Sequence, residues 1–124
     1  MANRHYIDYI AGYMAGAQNL GEFEQIVLLA ILRLEDDAYG VSIRAEISRR
    51  TGRDIAPGAL YTTLERLETK GLVKSRVGDP TPERGGRAKR YYRLSGVGIK
   101  AIARAERAFR RLLEGLAIPG SANA

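Results

Sequence analysis

Apolar residues in this chain recur mostly at three- and four-residue steps and only briefly at alternate positions, a pattern of several helices and one short sheet. Tyr6, Tyr9, Ile10, Tyr13, Met14 and Ala17 predict a short amphipathic helix within residues 1–20, ending near Gly16. Over residues 22–34, Phe23, Ile26, Val27, Ala30, Ile31 and Leu34 share a face. Leu28, Leu29 and Leu32 carry apolar surface further round, so this helix is expected to be buried nearly all round as the central scaffold. Tyr39, Ile43 and Ile47 stripe the next helix, with Arg44, Arg49 and Arg50 around its remaining surface, and Gly52 suits the left-handed position after it. Leu60, Leu64 and Leu67 stripe a helix that Pro57 can open and Gly71 stops. Residues 71–77 and 89–94 then read as two strands around a turn-rich loop, 78–88, and so as a hairpin. Ser95 is placed to cap a last helix reaching about Gly115 or Leu116. In it Ile102, Ala105, Phe109, Leu112 and Leu116 alternate steps of three and four as a short heptad seam. About two heptads are too few to stand alone, so this helix must pack on the core, on a twin, or on both.

Two helices joined by the short turn Thr51-Gly52-Arg53-Asp54 have the sequence shape of a helix-turn-helix. The face of the second helix opposite its leucines carries Gly58, Thr62, Glu65, Arg66 and Thr69, with Tyr61 on the flank, small and hydroxylated residues that allow close approach to another surface. Its first turn has a poor cap in Ala56, so the N–H groups of Gly58 and Ala59 are candidates to meet a phosphate oxygen with help from the helix dipole. The competing expectation is that Asp54 folds back as the cap and that the turn binds only water. The hairpin gathers Arg84, Arg87, Lys89, Arg90 and Arg93 around Tyr91 and Tyr92, a composition suited to phosphates or a minor groove, although charged loops also serve solubility alone.

Charge sharpens this picture. Twenty Lys and Arg against fourteen Asp and Glu leave +6, which favours polyanionic partners: nucleic acid first, an anionic membrane surface second. No apolar run approaches the ~20 residues needed to cross a bilayer, and the N-terminus lacks a signal peptide's apolar core, so a cytoplasmic protein is expected. The absence of cysteine excludes disulfides and thiolate chemistry, and a single His5 cannot build a zinc site or a triad. Glu35, Asp36 and Asp37 read as a solvated turn rather than a metal or acid/base cluster. Gly85-Gly86 lacks the Lys-Ser/Thr of a phosphate-binding loop. No cofactor, metal or enzyme activity is expected.

With these pieces placed, the chain resembles the PadR family of transcriptional regulators. The matching residues are those of the 23–34 helix, Tyr39-Gly40, Gly58-Ala59-Leu60-Tyr61, Leu64-Glu65-Arg66-Leu67-Glu68, Gly71-Leu72-Val73 and Arg90-Tyr91-Tyr92-Arg93-Leu94-Ser95. The resemblance implies a mainly α fold with a small β-hairpin (α+β). This is a winged helix-turn-helix, a homodimer built through the C-terminal helix, and repression at a palindromic operator with Tyr61 and its neighbours facing DNA and the hairpin as wing. Release by phenolic or drug-like effectors is implied for some members. Three departures stand out: Thr62 where the family often has proline, Gly96-Val97-Gly98 after the second strand, and a short last helix for which the Tyr-rich N-terminus would compensate at a dimer interface.

The expected organisation is an N-terminal helical extension (1–20), a winged-helix DNA-binding domain (21–94), a C-terminal dimerisation helix (95–118) and a disordered tail (119–124). The residues expected at double-stranded DNA are Arg44, Pro57, Gly58, Ala59, Tyr61, Thr62, Arg66, Arg84, Arg87, Lys89 and Arg90. Those expected at the dimer interface are Ile102, Ala105, Phe109, Leu112 and Leu116, joined by Tyr9 and Tyr13. The alternative is a winged-helix module that binds protein through the same hairpin and lacks sequence-specific DNA binding.

Overall fold

The first helix, α1 (Glu22–Leu34), is entered through an extended Gly21 whose N–H donates to Glu24 Oε1 at 2.9 Å, a glutamate at the third helical position reaching back over its own N-terminus. In the computed structural model, which describes residues 20–79 and 88–121, α1 buries Val27, Leu28, Ala30 and Ile31. Leu29 and Leu32 are nevertheless half exposed, so the expectation of all-round burial is corrected: the described residues leave that side of the rod only partly covered. A single 3-10 turn, Glu35–Asp37, is exposed as expected of a solvated turn and leads to the buried Ala38.

Helix α2 (Gly40–Thr51) starts where the Tyr39 N–H donates to Ser42 Oγ, and it ends on Gly52 at φ 74, the left-handed position the sequence reserves for glycine. Helix α3 (Pro57–Thr69) buries Leu60, Thr63, Leu64 and Leu67 against α1 and α2. It closes with a double cap: the Gly71 N–H donates to Glu68 O, the Leu72 N–H to Leu67 O, and Gly71 sits at φ 76. That cap consumes Gly71 and Leu72, so strand β1 is Val73–Val77, shorter than the periodicity suggested. It pairs antiparallel with β2 (Arg90–Leu94) in the register Val73 to Leu94 through Val77 to Arg90. Tyr39 adds an isolated bridge to Tyr91, and the Tyr92 N–H donates to Ala38 O at 2.8 Å, tying the hairpin root to the start of α2.

Helix α4 (Gly96–Leu113) is capped by Ser95, whose Oγ accepts from the Gly98 N–H and donates to Gly71 O. Of its two opening glycines, Gly98 is explained by packing, whereas a Cβ on Gly96 would meet nothing within 4 Å. A Cβ on Gly98 would fall on the carbonyl of Leu72, closer than side chains approach backbone, so only glycine lets the helix lie here. The helix stops at Leu113, two or three residues before the expected end.

The core gathers Leu28 and Ile31 of α1, Ile43 and Ile47 of α2, Leu60, Leu64 and Leu67 of α3, then Val73, Tyr92 and Leu94 of the hairpin and Ala101 and Ile102 of α4. Ile102 is therefore a residue of the chain's own core rather than of an outer seam, a correction that follows from the first two turns of α4 lying against α1 and β2. Three helices with a hairpin at the end of the third, followed by a fourth helix, make this a winged helix-turn-helix. The expected N-terminal helix with Tyr9 and Tyr13, the hairpin tip with Arg84 and Arg87, and residues 122–124 lie outside the described residues.

Candidate nucleic-acid interface

The start of α3 is open. Ala56 is extended and offers no side-chain cap, Pro57 occupies the first helical position, and Pro57, Gly58, Ala59 and Thr62 are exposed. Asp54 does not fold back as a cap; its side chain is 97% exposed and lies 3.7 Å from Arg44. The first-turn N–H groups of Gly58 and Ala59 consequently point outward with the positive end of the helix dipole behind them. A Cβ at Gly58 would meet nothing within 4 Å, so no intrachain packing demands glycine there.

Tyr61 projects from the second turn, 52% exposed, with the outer part of its ring lying over Gly40 at the start of α2. Across from it runs the root of the hairpin. Lys89 Nζ lies 4.4 Å from the centroid of the Tyr39 ring, and Tyr39 meets Tyr91 edge to face at 5.6 Å. Arg90 is steadied by a relay: its guanidinium donates to Ser75 Oγ at 3.0 Å, and Ser75 in turn donates to Glu68 Oε2 of α3 at 2.6 Å. A cleft of about 530 Å³ joins these parts, lined by Tyr39, Gly40, Val41, Tyr61, Ala88, Lys89 and Arg90. Tyr61 of α3 and the cationic root of the wing therefore face one opening, a geometry that admits an anionic backbone beside the exposed tyrosine.

Two of the arginines expected at DNA have intrachain work. Arg44 Nε donates to Ile55 O at 2.7 Å, bracing the turn between α2 and α3. Arg66 Nε donates to Glu24 Oε2 at 3.2 Å, beside Lys70 Nζ at 2.9 Å on the same oxygen. Glu24 is thus a buried carboxylate that joins α1 to the far half of α3. Burial raises its pKa, but the Gly21 N–H and the Lys70 and Arg66 cations outweigh that and hold it below the ordinary carboxylate value. Hydrogen bonds from Arg50 and Arg49 likewise lower Glu46 on α2. Arg44 and Arg66 reach partners eleven and 42 residues away in sequence, through geometry that linear spacing does not reveal.

Sequence reasoning also missed the part played by Tyr39 and Gly40. Tyr39 stands out in the sequence as part of an apolar stripe with Ile43 and Ile47, and Gly40 only as part of the resemblance, whereas in the fold the pair is the corner where the wing and α3 meet. On the outer face of the hairpin Lys74 lies directly opposite Arg93, and Arg76 stacks 4.7 Å from the Tyr91 centroid. Along α4, Ala105 is half buried, while Phe109 and Leu112 are exposed, Leu112 by 77%, and Leu116, expected on the same seam, is exposed beyond the end of the helix. Among the described residues no group of three potential ligands could hold a metal ion, and no helix is long and apolar enough to cross a membrane.

The model of the transcriptional regulator PadR-like family matches residues 28–104. Transcriptional regulator Rv3488 of Mycobacterium tuberculosis is 39% identical over 80 residues, spanning 63% of this chain and 68% of that protein. Among solved structures, a PadR family transcription regulator from hypervirulent Clostridium difficile R20291 superposes with a TM-score of 0.62 at 24% identity, covering 76% of this chain and 94% of the other. A transcriptional regulator from Clostridium thermocellum gives 0.60 at 25% identity, covering 88% and 94%.

Proposed function

Because the chain belongs to the PadR-like family of transcriptional regulators, and so to a family of regulators rather than enzymes, we propose that it binds double-stranded DNA in a sequence-specific way and represses transcription as a homodimer on a palindromic operator. The observation that carries this reading is the shared cleft: Tyr61, in the second turn of α3, lines it together with the cations Lys89 and Arg90, and the uncapped first turn of α3 immediately precedes that tyrosine in the chain. In this reading Pro57, Gly58, Ala59, Tyr61 and Thr62 enter the major groove, and Lys89 and Arg90, with Arg84 and Arg87, grip phosphates or the minor groove alongside. Arg44 and Arg66 contribute by holding the turn and the helix, and reach DNA only with the outer parts of their guanidinium groups. Residues 21–94 act as the reading unit. The exposed Phe109 and Leu112, with the exposed Leu116 just beyond the helix, support pairing of two copies through the C-terminal helix, which sets the two α3 helices at half-sites about 34 Å apart. A small aromatic effector acting in the cytoplasm completes the reading by analogy with the family.

Selection of bound sequences from a random double-stranded DNA pool tests the central claim. A two-fold symmetric motif is expected, with affinity for it falling steeply with salt. Recovery of no motif together with salt-insensitive binding would leave the protein-binding alternative in its place.

A further inference from the structure

The geometry points to Gly40 as a positioning residue for DNA reading: its missing side chain provides the seat that fixes the Tyr61 ring at the mouth of the cleft. This inference rests on the DNA-binding reading and deepens it. Gly40 is the first residue of α2, buried, and at no positive φ, so backbone freedom does not demand glycine there. A Cβ built on it would lie 2.9 Å from Tyr61 Cζ and 3.1 Å from Cε1, and nearer still to the hydroxyl oxygen. These are all atoms of one side chain, and no other group is met so closely. At a first helical position alanine is otherwise the better residue, since glycine gives up more conformational freedom on folding. The site therefore keeps glycine against local preference, and the contact it spares is with the exposed tyrosine of α3.

The seat also sets where the ring would go if it were lost. Tyr61 and Gly40 both line the 530 Å³ cleft whose other wall is Ala88, Lys89 and Arg90. The hairpin root is fastened one and two residues before the seat, by the Tyr39 bridge to Tyr91 and the bond from Tyr92 N–H to Ala38 O. One corner of backbone, residues 38–40, thus registers both the wing and the aromatic side chain of α3. A methyl group on Gly40 must push the ring outward into the space between α3 and the wing, while the wing stays in place. The distance between the base-reading and phosphate-gripping parts is then no longer the one a duplex fits.

A double-mutant cycle on the full-length protein tests this, using DNA fragments selected by the wild type and random fragments of equal length. Glycine-to-alanine substitution, G40A, should lower the preference for selected over random DNA about tenfold in the Tyr61 protein. In the Y61A background, where the ring is gone, G40A should change that preference less than twofold. Urea melts of all four proteins should show G40A no less stable than its parent beyond about 1 kcal/mol, a fold-change in unfolding constant of about fivefold. An unchanged or increased preference in G40A, or an equal loss in both backgrounds, would overturn the assignment. Absence of any preference in the wild type would instead fault the DNA-binding reading itself.

Discussion

Replacing Glu24 with alanine should destabilise the fold by about 2 kcal/mol, and the estimate can be built from its three donors. The carboxylate side chain is 7% exposed and receives the Gly21 N–H, Lys70 Nζ and Arg66 Nε. Losing the N-terminal acceptor costs about 1 kcal/mol, as for other helix caps. The Lys70 and Arg66 side chains are 27% and 48% exposed, so they rehydrate when the carboxylate is gone, and each bond counts nearer to ~1 than to ~3 kcal/mol. Against that total of about 3 kcal/mol stand the relieved burial of a charge and the helix preference for alanine, which return about 1. Urea unfolding followed by circular dichroism at fixed protein concentration is the assay for the free energy, and in thermal melts Tm should fall by roughly 10 °C. The pH dependence carries a sign. Because the folded pKa of Glu24 lies below its ordinary value of 4.5, its stabilisation is complete above that value and is lost as pH falls through the depressed one. The gap between wild type and Glu24→Ala should thus be full at pH 7 and shrink in acid. A loss under about 0.5 kcal/mol, or a gap that widens in acid, would refute the reasoning.

Other outcomes follow from neighbouring features. Gly98→Ala should cost about 1–3 kcal/mol, since the added methyl meets the Leu72 carbonyl, whereas Gly96→Ala, which meets nothing within 4 Å, should be neutral or slightly stabilising in the same melts. Lys89→Ala and Arg90→Ala should each weaken binding to selected and random DNA alike and flatten the slope of log affinity against log salt by about one unit, measured by fluorescence anisotropy. Thr62→Ala should instead reduce preference between sequences, and equal profiles for the two groups would dissolve the division between wing and helix. Leu112→Asp should raise the concentration at which sedimentation detects paired copies while leaving the monomer's melting unchanged at low concentration, because Leu112 is 77% exposed and makes no part of the core.

Much of the fold is legible in the sequence because its elements are written in local signals. The three- and four-residue steps of Leu60, Leu64 and Leu67, the left-handed glycines at 52 and 71, and Ser95 before the last helix each act within one or two turns of chain, and the structure places each as those signals imply. The open front of α3 is equally local, a consequence of Ala56 and Pro57 in sequence. What tertiary structure alone decided is which side chains are already engaged. Arg66 and Lys70 meet Glu24 over forty residues away, Arg44 is drawn to the Ile55 carbonyl, and Ile102 turns inward because α4 crosses α1 before it reaches solvent. Leu29 and Leu32 stay half exposed for the complementary reason, since composition marks a surface as apolar but only packing supplies something to cover it. The seat that Gly40 makes for Tyr61 joins residues on two different helices. Periodicity fixes which face of a helix is apolar, but the meeting of two faces depends on the crossing of the rods that carry them.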